Sequence, residues 1–226
     1  AVSALAERLN RQAGRRRALG VAMDVTDERS IERALDETLK IFGGLDFLVS
    51  NAGIAAVASI DRLSRLDWDR SLAVNATGHF LVAKAVIRWL RAQRLGGALV
   101  FIASKNVLAP GKDFGAYSAA KAAETQLARV LAIENGEVGI RVNVVNPDGV
   151  FEGSGLWKTI GAARAKTYRL PPGKLETYYQ QRNLLKARVL PRDVAEAVCF
   201  LVSGQSAKTT GCILTVDGGL REAFPR

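Results

Sequence analysis

Tyr117 and Lys121, in Tyr117-Ser-Ala-Ala-Lys121, stand four residues apart. On a helix that spacing places a phenol and an ammonium on one face. A nearby cation favours the phenolate and lowers a tyrosine's pKa, which suits the side chain to proton transfer near neutral pH. Alone the pattern is short and recurs by chance, and its plain alternative is a helix-start aromatic followed by a solvated charge. Other residues strengthen the chemical reading. Ser104 ends an apolar run thirteen residues before Tyr117, at the carboxyl edge where ligand crevices form in open α/β sheets. Asn75 lies inside a long helical pattern, in Val74-Asn75-Ala76-Thr77-Gly78, where asparagine is a poor helix former without a task. Asn51-Ala52-Gly53 follows another apolar run, and its glycine allows close backbone approach to a ligand or strand. Asp24 closes a further run in Met23-Asp24-Val25.

These residues need a scaffold, and the hydrophobic pattern supplies one. Gly20–Asp24, Leu45–Asn51, Ala98–Ser104, Ile140–Asn146 and Cys212–Val216 read as strands rich in Val, Ile and Leu. Ser30–Phe42, Trp68–Arg94, Gly115–Asn135 and Arg192–Val202 between them have helical period. Strands apolar on both faces and separated by helices predict a parallel sheet covered on each side. Thr26 or Asp27 can cap the helix near Ser30, Gly43-Gly44 can end it, and Pro191 can open the last helix. Phe151–Leu190 fits neither pattern. It is basic and holds Pro171, Pro172, Tyr168, Tyr178 and Tyr179, as expected of an insertion covering a crevice.

The chain has 226 residues, enough for one α/β domain and one core without disulfide or metal support. No run of about 18 apolar residues predicts a membrane span. One histidine and two cysteines are too few for a structural zinc site, so no metal is expected. Cys199 and Cys212 have no paired spacing, which fits a reducing cytoplasm. The net charge of +10 is concentrated. Residues 1–20 carry five Arg and one Glu, and residues 151–192 carry nine basic and two acidic groups.

Taken together, these residues resemble the short-chain dehydrogenase/reductase family over about residues 20 to 220. The likeness rests on Asp24-Val25, Asn51-Ala52-Gly53, Asn75-x-x-Gly78, Ser104, Tyr117-x-x-x-Lys121, Arg141-Val142-Asn143-x-x-x-Pro147 and Val216-Asp217-Gly218-Gly219. The resemblance implies a Rossmann-type doubly wound parallel sheet with helices on both faces, and an NAD(P)-dependent oxidoreductase acting on a small alcohol or aldehyde. Tyr117 would be the general acid/base. Lys121 would lower its pKa and bind the nicotinamide ribose, Ser104 would hold the substrate oxygen, and Asn75 would anchor a water relay. Asp24, Val25 and Asn51-Ala52-Gly53 would line the adenosine site, with Pro147, Gly149 and Val150 also on the cofactor. The cofactor implied is NAD; NADP stays open, because the residue that selects between them follows a strand this sequence lacks. The family also implies homodimers or homotetramers through Ala76–Arg94 and Ala116–Asn135.

Two departures accompany the likeness. The glycine-rich phosphate turn and the first two strands of the family sheet have no counterpart, so the Gly20 strand would lack a neighbour. The chain also begins at Ala1 without methionine. The expectation is an N-terminally incomplete domain over 1–226, with Leu5–Arg17 as the tail of a helix and 151–190 as the substrate loop. Glu152 stands where the family has a threonine, and a carboxylate there would repel pyrophosphate. Gly153-Ser-Gly-Leu-Trp157, Tyr178–Lys186, Lys208-Thr-Thr-Gly211 and Ala223-Phe-Pro-Arg226 resemble a narrower branch, the dehydrogenase half of rhamnulose-1-phosphate aldolase/short-chain dehydrogenase fusions. That likeness implies lactaldehyde as substrate and an N-terminal aldolase.

His79 reads as packed or at a subunit contact, and Trp68 and Trp89 as core or interface. Trp157, Tyr168, Tyr178 and Arg182 are divided between lining a substrate pocket and packing a lid. The competing classes are a nucleic-acid or anion-binding module, prompted by the charge, and a folded relative without catalysis. No nucleic-acid motif supports the former, so neither nucleic acid nor membrane is expected as a partner.

Overall fold

The computed structural model describes residues 2–224; Ala1, Pro225 and Arg226, the last two part of the branch-like ending, lie outside the described residues. Four strands, β1 (Phe47–Ser50), β2 (Gly97–Ile102), β3 (Ile140–Pro147) and β4 (Ile213–Val216), form one sheet in the order β1-β2-β3-β4. Every pairing is parallel, with Leu99 level with Val142 and Val144 level with Ile213. Alternation explains the continuous apolar runs. Leu99, Phe101, Val142 and Val144 face one helical layer, and Val100 and Val145 face the other.

The first layer contains α2 (Glu28–Phe42), α4 (His79–Gln93) and α5 (Gly115–Asn135). Ile31, Val82, Val86, Leu90, Ala128 and Ala132 join the β2 and β3 side chains in one core. The second layer is α8 (Pro191–Val202), whose Leu201 packs on Val100 and Val145. Asp27 caps α2 by accepting from the Arg29 amide, and Gly43 ends it with φ 80°, a left-handed conformation that glycine adopts without penalty. Pro191 occupies the first turn of α8 as expected.

Three expectations change. The segment Gly20–Asp24 is not a strand. It runs along one wall of an apolar cleft of about 370 Å³, with β1 on another wall, so no partner lies within ladder distance. Asn10 holds its start, donating to the Ala18 carbonyl and accepting from the Arg17 and Ala18 amides. The preceding helix α1 spans Val2–Ala13, not Leu5–Arg17. The helix expected over Trp68–Arg94 is built as α3 (Arg65–Leu72), a wide π-helical turn at Ala73–Gly78, and α4.

The basic insertion contains α6 (Gly155–Thr167) and α7 (Leu175–Arg182), which pack on each other across an aromatic cluster. Cys199 is exposed and Cys212 half-buried, and both cysteines are free.

Leu90 is fully buried beneath the sheet, and its methyls lie 3.0 and 3.1 Å from where a Cβ on Gly97 would stand. Leu90→Ala should cost about 2–5 kcal/mol through lost burial and the cavity left behind. Urea unfolding measures this, and a loss below about 1 kcal/mol would contradict the packing.

Candidate active site

Tyr117 sits in the first turn of α5, 8% exposed. Its ring packs on Phe114 at a centroid distance of 4.7 Å, beside Ile160 and against Ala55, Val57 and Trp157. One turn along the helix, Lys121 is 2% exposed. Its Nζ lies 6.0 Å from the Tyr117 ring centroid, donates to the Ile102 carbonyl at 2.8 Å and stands 2.7 Å from Glu124 Oε2. Ser104 follows β2 by two residues and caps the short 3-10 turn Lys105–Val107. Its hydroxyl accepts from the Asn106 amide and side chain, and Ser104 lies near enough to the Tyr117 phenol to draw its pKa down. Ser104, Tyr117 and Lys121 therefore meet at the carboxyl end of β2.

The electrostatics differ from the simple expectation. Lys121 and Ser104 do draw the Tyr117 pKa down, but burial outweighs them, and Glu124 and Asp148 add to the rise. The net direction is upward, because desolvation penalises the phenolate more than one cation repays. A single buried lysine beside a second carboxylate does not leave the phenol acidic.

Asn75 is fully buried in the π-helical turn. Its side chain accepts from the Ile54 amide and donates to the Ile54 carbonyl, both at 2.9 Å, and donates to Ser71 at 3.0 Å. The side chain thus clamps the chain just after Asn51-Ala52-Gly53 and has no amide hydrogen left for a water. Extra width in a helix commonly marks functional sites. Gly78 has its own reason: a Cβ there would meet Val25 Cγ2 at 2.7 Å. The Asn-x-x-Gly pattern fixes two ligand-side loops at once.

Asn51, Ala52 and Gly53 are exposed at the carboxyl end of β1. Asp24 is exposed too, and one carboxylate oxygen accepts from the Thr26 amide and hydroxyl. Those bonds hold its pKa below the usual carboxylate value. Pro147 ends β3, and Gly149 turns with φ 64° where a Cβ would lie 2.9 Å from the Tyr179 ring. Val150 is half-buried beside it, while Glu152 points to solvent.

The burial of Glu124 and Lys105 was not anticipated, whereas His79 is packed as expected. Glu124, at 0% exposure, sits behind Lys121; its only sequence signal is a position three residues after that lysine. His79, 1% exposed, has Nδ1 2.7 Å from the Ser50 hydroxyl and 3.4 Å from Glu124 Oε1, with Nε2 2.9 Å from the Ala52 carbonyl. The carbonyl can only accept, which assigns the proton to Nε2 and leaves Nδ1 to accept from Ser50. Burial, aided by the Lys121 charge, lowers the His79 pKa to about 4. Burial raises Glu124 to about 7 despite Lys121. Lys105, 5% exposed, donates to the Ala109 carbonyl, and burial with the Arg182 and Arg164 charges lowers it to about 8.

The insertion residues divide. Trp157 packs against the Tyr117 cluster and stacks on Phe151 at 4.3 Å. Tyr168 and Tyr178 pack with tilted rings, and Arg182 lies 3.9 Å over the Tyr179 ring while pairing with Asp148 at 2.6 Å. Arg164, 1% exposed, donates to the Lys112 carbonyl and the Tyr168 hydroxyl. These groups hold the lid together more than they line the space at Tyr117. Among the described residues no His, Cys, Asp and Glu group is arranged to hold a metal ion, and no helix is long and apolar enough to cross a membrane.

A parallel sheet with helices on both faces and polar groups gathered at its carboxyl edge defines a Rossmann-like fold. A family model described as enoyl-(acyl carrier protein) reductase matches residues 1–221. The chain belongs to the short-chain dehydrogenase/reductase family. It is 43% identical over 223 residues to the uncharacterized oxidoreductase YuxG of Bacillus subtilis (strain 168), covering 98% of this chain and 32% of that protein. It therefore spans about a third of that relative's length. Among solved structures it is similar to sorbitol-6-phosphate 2-dehydrogenase from Erwinia amylovora, with TM-score 0.89 and 33% identity over 97% of this chain and 85% of that one. It is also similar to 3-ketoacyl-(acyl-carrier-protein) reductase from Brucella melitensis complexed with NADH, with TM-score 0.81 and 29% identity over 96% and 84%.

His79 and Glu124 respond oppositely to pH. His79 titrates near 4 when folded against an ordinary 6.5, so the stability it secures is present above 6.5 and lost as pH falls toward 4. Glu124 titrates near 7 against 4.5, so its contribution is present below 4.5 and lost as pH rises through 7. Between 4.5 and 6.5 the two slopes cancel. His79→Gln should unmask Glu124, making stability fall with rising pH by on the order of 1.4 kcal/mol per unit relative to wild type. Denaturation midpoints across that range test this, and parallel curves for the two proteins would refute it.

Proposed function

We propose that this chain is an NAD(P)-dependent oxidoreductase that transfers a hydride between a nicotinamide cofactor and a small alcohol or aldehyde. The observation that carries the reading is the convergence of Ser104, Tyr117 and Lys121 in one buried, apolar-walled site at the carboxyl end of β2. The surrounding residues suit a dinucleotide. Asn146, at 0% exposure, has an amide without a protein partner beside Pro147, and the backbone of Asn51–Gly53 is open to solvent near the exposed Asp24 carboxylate. Asp24, Val25 and Asn51–Gly53 would hold the adenosine end, and Lys121, Pro147, Gly149 and Val150 the nicotinamide end. Bound there, the cofactor supplies the hydride chemistry.

The protein handles the proton. In oxidation, Ser104 orients the substrate hydroxyl and Tyr117, as phenolate, accepts its proton. In reduction, the phenol donates to the carbonyl oxygen. Lys121 supplies the positive charge that stabilises phenolate, reinforced once a ligand displaces remaining water. Asn75 grips Ile54, and its Oδ1, which accepts one bond there, keeps a second lone pair with which to anchor a water relay.

Within this reading, residues 1–226 form one cofactor-binding domain with 151–190 as its substrate loop. Lactaldehyde is the first candidate substrate and a fusion with an N-terminal aldolase the proposed setting, supported by Gly153–Trp157 and Tyr178–Lys186. A cytoplasmic location suits the two free cysteines. Phe80 and Trp89 on α4 and Val130 and Ile133 on α5 are exposed, which supports a homodimer or homotetramer. A nucleic-acid role is disfavoured, because Arg164 and Arg182 of the basic insertion are committed to buried partners.

The purified protein should change the absorbance of NAD or NADP when offered a panel of small alcohols and aldehydes that includes lactaldehyde. Tyr117→Phe should reduce turnover by at least about 100-fold with an unchanged circular dichroism spectrum. Unchanged turnover in that variant would overturn the assignment.

A further inference from the structure

The catalytic helix carries a second charged residue on the face that seats Lys121. Glu124 is 0% exposed and lies three residues along α5. Its Oε2 stands 2.7 Å from Lys121 Nζ and its Oε1 3.4 Å from His79 Nδ1. Through His79 the chain of contacts continues to the Ser50 hydroxyl at the end of β1 and to the Ala52 carbonyl in the exposed turn. We propose that Glu124 is a positioning residue for the Tyr117–Lys121 pair, holding the ammonium from behind.

The neighbours of this carboxyl are few. Its own helix presents Lys121 and, a further turn back, Tyr117. The packed helix α4 presents His79. Behind His79 stand Ser50 from β1 and Phe101 from β2, the latter 6.0 Å from the His79 ring. Among the described residues Lys121 and His79 are the ion-pair partners of Glu124, so Lys121 divides its field between the carboxyl and the phenol. When Glu124 is neutral, the Lys121 charge acts undivided on Tyr117. When it ionises, the carboxylate opposes phenolate formation, in the direction in which it acts on Tyr117. Burial places this ionisation at about pH 7. An ionised Glu124 would also face the lone pair on His79 Nδ1, a repulsion that agrees with the rise. The outcome is a phenol whose acidity changes with the protonation of a group it does not touch.

The proposal rests on the oxidoreductase reading for its catalytic meaning, but its physical content is separable. Two measurements address it: an ultraviolet difference titration of Tyr117, obtained by subtracting Tyr117→Phe variants, and the pH profile of kcat. Glu124→Gln should match wild type below about pH 6 and diverge above about pH 8. Its phenol titration and the corresponding limb of kcat should move down by about half to one pH unit. Glu124→Asp, which keeps the charge, should restore most of the wild-type position and carries the test if Glu124→Gln does not fold. A uniform loss of kcat in Glu124→Gln with an unmoved limb, or a phenol titration unchanged in both variants, would overturn the proposal. If no substrate turns over, the oxidoreductase reading fails while the phenol titration still decides the role of Glu124.

Discussion

An ammonium has been placed in the seam between a helix and a parallel sheet, and much of the site follows from keeping it there. Lys121 is nearly inaccessible to water, so its charge must be met by protein groups or leave. The Ile102 carbonyl meets it at the end of β2, and Glu124 meets it from within α5. The first contact ties α5 to the end of the central strand β2. The second brings a buried carboxyl whose other oxygen has no hydrogen-bond partner, because His79 Nδ1 beside it is engaged by Ser50. One buried cation thus determines the types of several residues that never approach a ligand.

The loops at the carboxyl edge are fixed by a related economy of backbone bonds. Asn75 substitutes for a strand or helix partner by bonding both backbone groups of Ile54. Each polar atom of its side chain has a partner, so the turn it holds gains position without exposing an unpaired group. On the opposite flank, Arg141 does similar work, donating to the Leu201, Val202, Ser203 and Ser206 carbonyls that end α8. Arg141 stands at the start of β3, so its grip lies at the amino edge of the sheet, opposite the turns that Asn75 holds.

Much of this architecture is legible in the sequence because burial on both faces leaves long apolar runs. Leu99, Val100 and Phe101 could hardly belong anywhere except a covered central strand, and the i, i+4 spacing of Tyr117 and Lys121 survives because α5 is regular. What was not legible depends on distance. Gly20–Asp24 carries the same apolar signature as a paired strand, and only its position across a cleft from β1 shows that no ladder forms. Glu124 reads as one half of an ordinary surface ion pair until its accessibility is known. The rise in the Tyr117 pKa is invisible for the same reason: the sequence supplies the lysine, and only the fold supplies the desolvation. Asn75 was conspicuous as a poor helix former, yet nothing in its neighbours names Ile54 as the partner.

The wide turn at Ala73–Gly78 carries a consequence for how this family member can vary. Each residue in an α-helix advances the face by about 100°. The extra residue accommodated in the π-helical turn therefore sets the rotational phase of all of α4. Removing one residue from Ala73–Gly78 would restore regular helical bonding, a change that looks favourable locally. It would also swing His79 away from Ala52 and replace the buried face of Val82, Val86 and Leu90 with its exposed neighbours. Length in this stretch is therefore fixed as tightly as the identities of Asn75, which grips Ile54, and Gly78, where a Cβ would meet Val25.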